Sequence, residues 1–119
     1  MIEVDELIME TLDDLPCRVF KYRAVTKDPT YIVFYIWNEH DIFYADDDPI
    51  GTASMITVSI YSDDEAKPLV KLVKTKLRGA GFSIVSSHSV YNEETDRIQN
   101  IIEISCEDIN SPEANFDHE

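Results

Sequence analysis

Apolar positions change period several times along the chain, and each change marks an element. From Met55 to Tyr61, the apolar residues Ile56, Val58 and Ile60 alternate with Thr57, Ser59 and Tyr61. That is the period-two pattern of a strand with one buried face. A polar break, Ser62-Asp63-Asp64-Glu65, precedes Leu69, Leu72, Val73, Leu77 and Ala80, which recur at three- and four-residue spacing. They form one apolar stripe on a helix whose regular part begins at Lys67 or Pro68. Gly79 and Gly81 flank its end, where a left-handed backbone costs glycine little. A helix this short is unstable alone, so its stripe needs a sheet to pack on. The strand, helix and strand between Ser54 and Tyr91 are the expected packing centre of the fold.

Other segments follow the same logic. Ile2, Leu7, Ile8, Leu12 and Leu15 line one side of a helix expected over residues 2–14, opposite Glu3, Asp5, Glu6 and Glu10, and Pro16 ends it. Cys17–Tyr22 predicts a partly exposed strand, and Lys27-Asp28-Pro29 a turn. Thr30–Trp37 is the most apolar stretch and predicts a central strand buried on both faces. Asn38–Thr52 predicts a long polar connection, of a length that is uncommon in compact domains. Phe82–Tyr91 and Arg97–Glu107 predict a hairpin joined by Asn92–Asp96. The order is α-β-β-β-α-β-β. It makes a single α+β domain over residues 1–108, with two helices on one mixed or antiparallel sheet. Residues 109–119 lack periodicity and predict a flexible acidic tail.

Composition narrows the function more than the fold. The 119 residues include 24 acidic and 10 basic side chains, a formal charge of −14. That balance argues against a nucleic-acid surface, which needs Lys and Arg to displace counterions, and against attraction to an anionic membrane. No apolar run reaches the roughly 18 residues of a membrane span. The acidic start Met-Ile-Glu-Val-Asp-Glu-Leu is unlike a signal peptide, so synthesis in the cytosol is expected. Cys17 and Cys106 lie far apart among strand-like residues and read as small buried side chains rather than a disulfide or a metal site.

The search for chemistry returns little. In a strand, His40 points away from Glu39 and Asp41, so the three do not converge. Counting a calcium loop from Asp46 puts Ile50 at the fifth place and Thr57 at the twelfth, where a bidentate Glu is required. His88 sits among Ser86, Ser87 and Ser89, which alternate across both faces without a third orienting group. Gly79-Ala80-Gly81 follows a helix instead of opening one, so no phosphate cradle forms. No catalytic, cofactor or metal site is expected, and no enzyme. Charge placement says more. Lys67, Lys71, Lys74, Lys76 and Arg78 fall on one helix, whereas 38–48, Glu93-Glu94-Asp96 and the chain end are acidic. The bland reading is a solvated basic helix face. The sharper one is a two-sided molecule whose copies meet head to tail, with Lys67, Lys71, Lys74 and Arg78 at the contact.

Several stretches together resemble the tail-terminator, or tail-completion, proteins of long-tailed bacteriophages and prophages. They are Tyr31-Ile32-Val33-Phe34, Ala45-Asp46-Asp47-Asp48-Pro49-Ile50, Val58-Ser59-Ile60-Tyr61-Ser62, Leu69-Val70-Lys71-Leu72-Val73-Lys74, Gly81-Phe82 and Ile102-Glu103-Ile104. The resemblance covers roughly residues 4–108. It implies a structural virion protein without catalysis, a homo-hexameric ring that caps the tail tube and presents the head-joining surface. Its implied partners are the tail-tube protein and head–tail connector proteins, with DNA passing through but not bound specifically. The implied location is the virion tail, reached from the host cytoplasm during assembly. It further implies that the loop carrying Asp46, Asp47 and Asp48 contacts partners or lines the lumen.

Three other readings compete. A head–tail connector or minor tail component shares nearly every expectation. An acidic inhibitor that imitates DNA would use the charge alone, but a basic helix interrupts its acidic surface. A small hydrolase lacks a nucleophile, base and orienter set.

Overall fold

The computed structural model describes residues 3–43 and 49–109. In chain order these form α1 (Val4–Thr11), β1 (Arg18–Lys21), β2 (Tyr31–Phe43), β3 (Pro49–Ser62), α2 (Lys67–Gly79), β4 (Ser83–Asn92) and β5 (Arg97–Ile109). The alternation in β3 does what its period dictates. Ile56, Val58 and Ile60 turn to one face and are fully buried, opposite Ile36, Phe34 and Ile32 of β2 and Ile104, Ile102 and Asn100 of β5. Burying each such aliphatic side chain contributes about 1.5–3 kcal/mol, so this face drives the fold. Both helices cover it. Ile8 and Leu12 of the α1 segment, with Leu15, and Val73 and Leu77 of α2 complete one core cluster.

The sheet order is β1-β2-β3-β5-β4. β1 runs parallel to β2, and the other neighbouring pairs are antiparallel. β3 and β4 are therefore parallel with β5 between them, joined by α2 as a crossover. This is the expected α+β fold with the expected element order and a mixed sheet.

Five expectations change. The first helix covers only Val4–Thr11; after Leu12 N donates to Ile8 O, the chain tightens into three-residue turns, with Asp13 N donating to Glu10 O and Leu15 N to Leu12 O. Leu12 and Leu15 still reach the core from those turns. The Thr30–Trp37 stretch is not buried on both faces: β2 lies second from an edge, and Tyr35 and Trp37 are 39% and 50% exposed. Within α2, Leu72 is turned outward, 42% exposed, while Val70 packs inward. Cys17 and Cys106 are free and half-buried against the core, rather than fully buried.

The fifth change is the largest. Asn38–Thr52 is not a long loop; β2 continues to Phe43 and β3 begins at Pro49, so most of it is a two-stranded extension. The end of β5, Ser105–Ile109, joins it opposite Met55–Gly51. This three-stranded arm projects beyond the helices. The protein extends 54 × 25 × 24 Å with a radius of gyration of 16.5 Å, against about 13 Å for a globule of this length. The expected loose tail from residue 110 onward lies outside the described residues.

Candidate assembly surfaces

Three surfaces of this fold have no partner among the described residues. The first is the arm. A register shift between Ile36 and Asn38 leaves Trp37 as a bulged residue, and such bulges bend a strand and raise its twist. Beyond it, Glu39, Ser54 and Cys106 share the sheet face that carries the helices, and so do Asp41, Thr52 and Asp108. The other side of the arm presents His40, Ala53 and Glu107. His40 Nδ1 lies 2.8 Å from Asn38 Oδ1, its neighbour two positions back on the same face of the strand. Glu39 accepts a 3.5 Å bond from Ser54 Oγ. Glu39, Asp41, Glu107 and Asp108 are all exposed, so the described part of the arm is acidic before its tip is reached. Asp46, Asp47 and Asp48 lie outside the described residues.

The second surface is the outer side of α2. Lys67 stands 3.6 Å from Glu65 at the helix start, and Lys76 reaches back to Asp14, donating at 2.9 Å to one of its carboxylate oxygens. That bond holds the Asp14 carboxyl below the usual carboxylate range and ties α1 to α2. Lys71, Lys74 and Arg78 make no ion pair with any described residue. Of the expected interface lysines, Lys67, Lys71 and Lys74 come together along one groove of about 350 Å³ between α2 and β4, with Ser87, His88 and Ser89 on its far wall. Arg78 is exposed near the helix end and does not line it. In the sheet order, β3 and β5 stand between β2 and β4. The described part of the arm that belongs to β2 is therefore separated from the basic groove by two strands.

The third surface is the sheet face opposite the helices. Phe20, Tyr31, Val33, Tyr35, Tyr61 and Ile101 supply its apolar positions. Tyr31 and Tyr61 stack with ring centroids 4.9 Å apart, and Phe20 meets Tyr31 edge-on at 6.5 Å. Between them Thr57 and Ser59 are only 7% and 5% exposed. Thr57 donates to Glu103 at 2.6 Å, and Gln99 donates to Ser59 at 3.1 Å. Cross-strand hydrogen bonds thus satisfy the sheet centre without an overlying layer. Sequence reasoning assigned Thr57, Ser59 and Tyr61 to a second face but did not identify it as uncovered. The available signal was the count of layers, since two short helices can cover one side of five strands but not both.

Among the described residues, no set of three His, Cys, Asp or Glu side chains converges on a metal-sized site. A cleft of about 880 Å³ lies between the end of α1 and β1 and includes Cys17, Arg18 and Asp28. Burial pushes the Cys17 thiol up, away from the thiolate form a nucleophile needs. Arg18 is engaged with Asp28 at 3.0 Å and Thr26 at 2.7 Å. The neighbouring guanidinium holds the Asp28 carboxyl below its ordinary range.

Comparison with known proteins returns a likeness of shape. No protein-family description matches the chain. No curated protein matches it in sequence. Among solved structures, the chain is similar to a component of the virion of a native gene transfer agent particle. The TM-score is 0.51 and the identity 12%, over 87% of this chain and 85% of that one. The arrangement of helices, sheet and arm described above is thus a fold that also occurs in a virion particle.

Proposed function

We propose that this protein is a structural component of a phage-type virion, a ring-forming tail-completion protein that ends the tail tube and offers the surface joining it to the head. The observation that carries the reading is the shared fold with a virion component across most of both chains. The sequence resemblance to tail terminators points the same way. The surfaces are of the corresponding kind: an acidic arm, a basic helix face with unpaired lysines, and an uncovered sheet face, all suited to neighbours rather than to a small substrate.

In this reading the protein works without catalysis and meets copies of itself, the tail-tube protein and connector proteins. The acidic segment Asp46, Asp47 and Asp48 of one copy faces Lys67, Lys71, Lys74 and Arg78 of the next. The net charge of −14 suits a ring through which DNA passes, because an acidic wall does not hold phosphates.

Electron microscopy of particles made without the protein tests the role. A terminator's absence gives tails of uncontrolled length. Complete tails of normal length that fail to join heads would instead assign the protein to the connector. Normal, infectious particles would remove it from the virion pathway altogether.

A further inference from the structure

Natural sheets protect their edges, because an unpaired strand offers a row of N–H and C=O groups to any other chain. This sheet has four unpaired edge segments among its described residues: β1, the outer side of β2, β5 beyond Ser105 where it carries Glu107 and Asp108, and β4. They are protected very differently. β1 is four residues long and carries Arg18 and Lys21. The outer edge of β2 is free from Tyr35 to Phe43, since β1 pairs only with Tyr31–Phe34. That segment is bulged at Trp37 and carries Glu39 and Asp41. β4 also shifts register, between Ile84 and Ser86, but it differs from the others in composition. Its ten residues, Ser-Ile-Val-Ser-Ser-His-Ser-Val-Tyr-Asn, contain no Lys, Arg, Asp, Glu or Pro. β5 pairs with one side of it and nothing described pairs with the other. Val85, Val90 and Tyr91 are exposed along it.

We propose that β4 of one copy pairs, edge to edge, with the Tyr35–Phe43 segment of a second copy, so that the sheet continues from subunit to subunit. This rests on the self-assembly part of the reading above and names its contact.

Charge selects this pairing over the alternatives. Joining β4 to β4 sets two α2 helices side by side, with Lys71 and Lys74 of each copy in proximity. Joining arm to arm collects Glu39 and Asp41 of both. Like charges so placed oppose each pairing. Joining arm to β4, with helices kept on one side of the continued sheet, does the reverse. Glu39 and Asp41 lie on the helix-bearing face, the side on which Lys67, Lys71 and Lys74 wall the groove beside β4. The carboxylates of one copy therefore enter the lysine-lined groove of the next. The two segments also match in length, nine residues against ten. Because the contact joins unlike surfaces, it is head to tail, and repeated rotation closes it into a ring.

Sedimentation and hydrogen exchange on the full chain test this. E39K/D41K and K71E/K74E should each reduce the wild-type oligomer to monomer while leaving the far-ultraviolet circular dichroism of the folded chain unchanged, although loss of the partner lowers the unfolding midpoint. The fourfold swap E39K/D41K/K71E/K74E should assemble again. Amides of β4 and of Tyr35–Phe43 should gain protection in the wild-type oligomer and lose it in either double variant. If the wild type is monomeric at all concentrations, the ring reading fails and takes this contact with it. If the wild type assembles and both double variants assemble equally well, only this contact fails. Assembly lost in both doubles but not regained in the swap, or protection gained outside these two strands, likewise overturns it.

Discussion

The two faces of the one sheet are built on opposite principles. On the helix side, Ile32, Phe34, Ile56, Val58, Ile60, Ile102 and Ile104 are all fully buried. That face is held by removal of apolar surface from water. The opposite face holds together by lateral contacts within the sheet itself: Tyr31 on Tyr61, Thr57 to Glu103, Gln99 to Ser59. A strand residue thus has two ways to be stable, under another layer or beside a matching neighbour. The first makes the fold, and the second leaves a surface available. The arm carries the contrast further: at its base Cys106 still packs against the core, whereas Glu39, Asp41, Glu107 and Asp108 are exposed.

The largest test of this contrast is to cut into each face in turn. Phe34→Ala should cost about 3–5 kcal/mol of folding stability, measured by urea unfolding, because it empties a fully buried site. Tyr35→Ser, one residue along on the open face, should cost less than about 1 kcal/mol yet weaken assembly in sedimentation. Comparable losses at both positions would show that the open face is covered in the monomer too.

An intermediate effect is expected at the junction between α2 and β4. Gly81 has φ +100°, which L-residues rarely adopt, and nothing lies within 4 Å of where a Cβ would sit. Gly81→Ala should therefore destabilise through backbone strain alone, by about 1–2 kcal/mol. An unchanged unfolding midpoint would mean that the turn re-forms without its left-handed residue. The outcome matters because this turn sets where β4, the unprotected edge, begins.

The smallest effect concerns the polar seams that hold α1 in place. Lys21 donates to Asp5 at 2.7 Å and Lys76 to Asp14 at 2.9 Å. In both pairs the lysine's hydrogen bond is the main cause of a lowered carboxyl pKa. A carboxylate whose folded pKa is depressed stabilises above its unfolded value, and the contribution disappears as pH falls through the folded one. Its loss is expected below about pH 4. Both pairs are solvent-exposed, which keeps the effect small and salt-sensitive. Asp5→Asn with Asp14→Asn should flatten the acid limb of a stability–pH curve and leave neutral-pH assembly untouched. An acid limb identical to wild type would assign it to other carboxylates.

Local pattern carried most of the fold's elements. The alternation of Ile56, Val58 and Ile60 needed no knowledge of a neighbour, because period two by itself separates an inner from an outer face. The stripe through Leu69, Val73 and Leu77 likewise identified α2 and its buried side, although Leu72 and Val70 exchanged roles at its margin. The turn at Asn92–Asp96 was equally local; Asp96 takes the left-handed conformation and the strands resume at Arg97. The basic residues of α2 could be assigned to one helix from spacing, and the groove then gathered Lys67, Lys71 and Lys74 but not Arg78.

Tertiary pairing alone decided the rest. Asn-Glu-His-Asp, at 38–41, contains no apolar alternation, and polar residues without a period read as loop. The segment is a strand because β3 supplies its hydrogen bonds, Asn38 meeting Met55 and Asp41 meeting Thr52. Nothing local to Asn38–Asp41 encodes those partners. Strand order is non-local in the same way. That β5 inserts between β3 and β4, leaving β4 at an edge, follows from which strands bury Ile102 and Ile104 best and from no residue of β4 itself. The sequence by itself determined which residues avoid water along each element. Only the packed sheet decided which of its strands were left with an unpaired side.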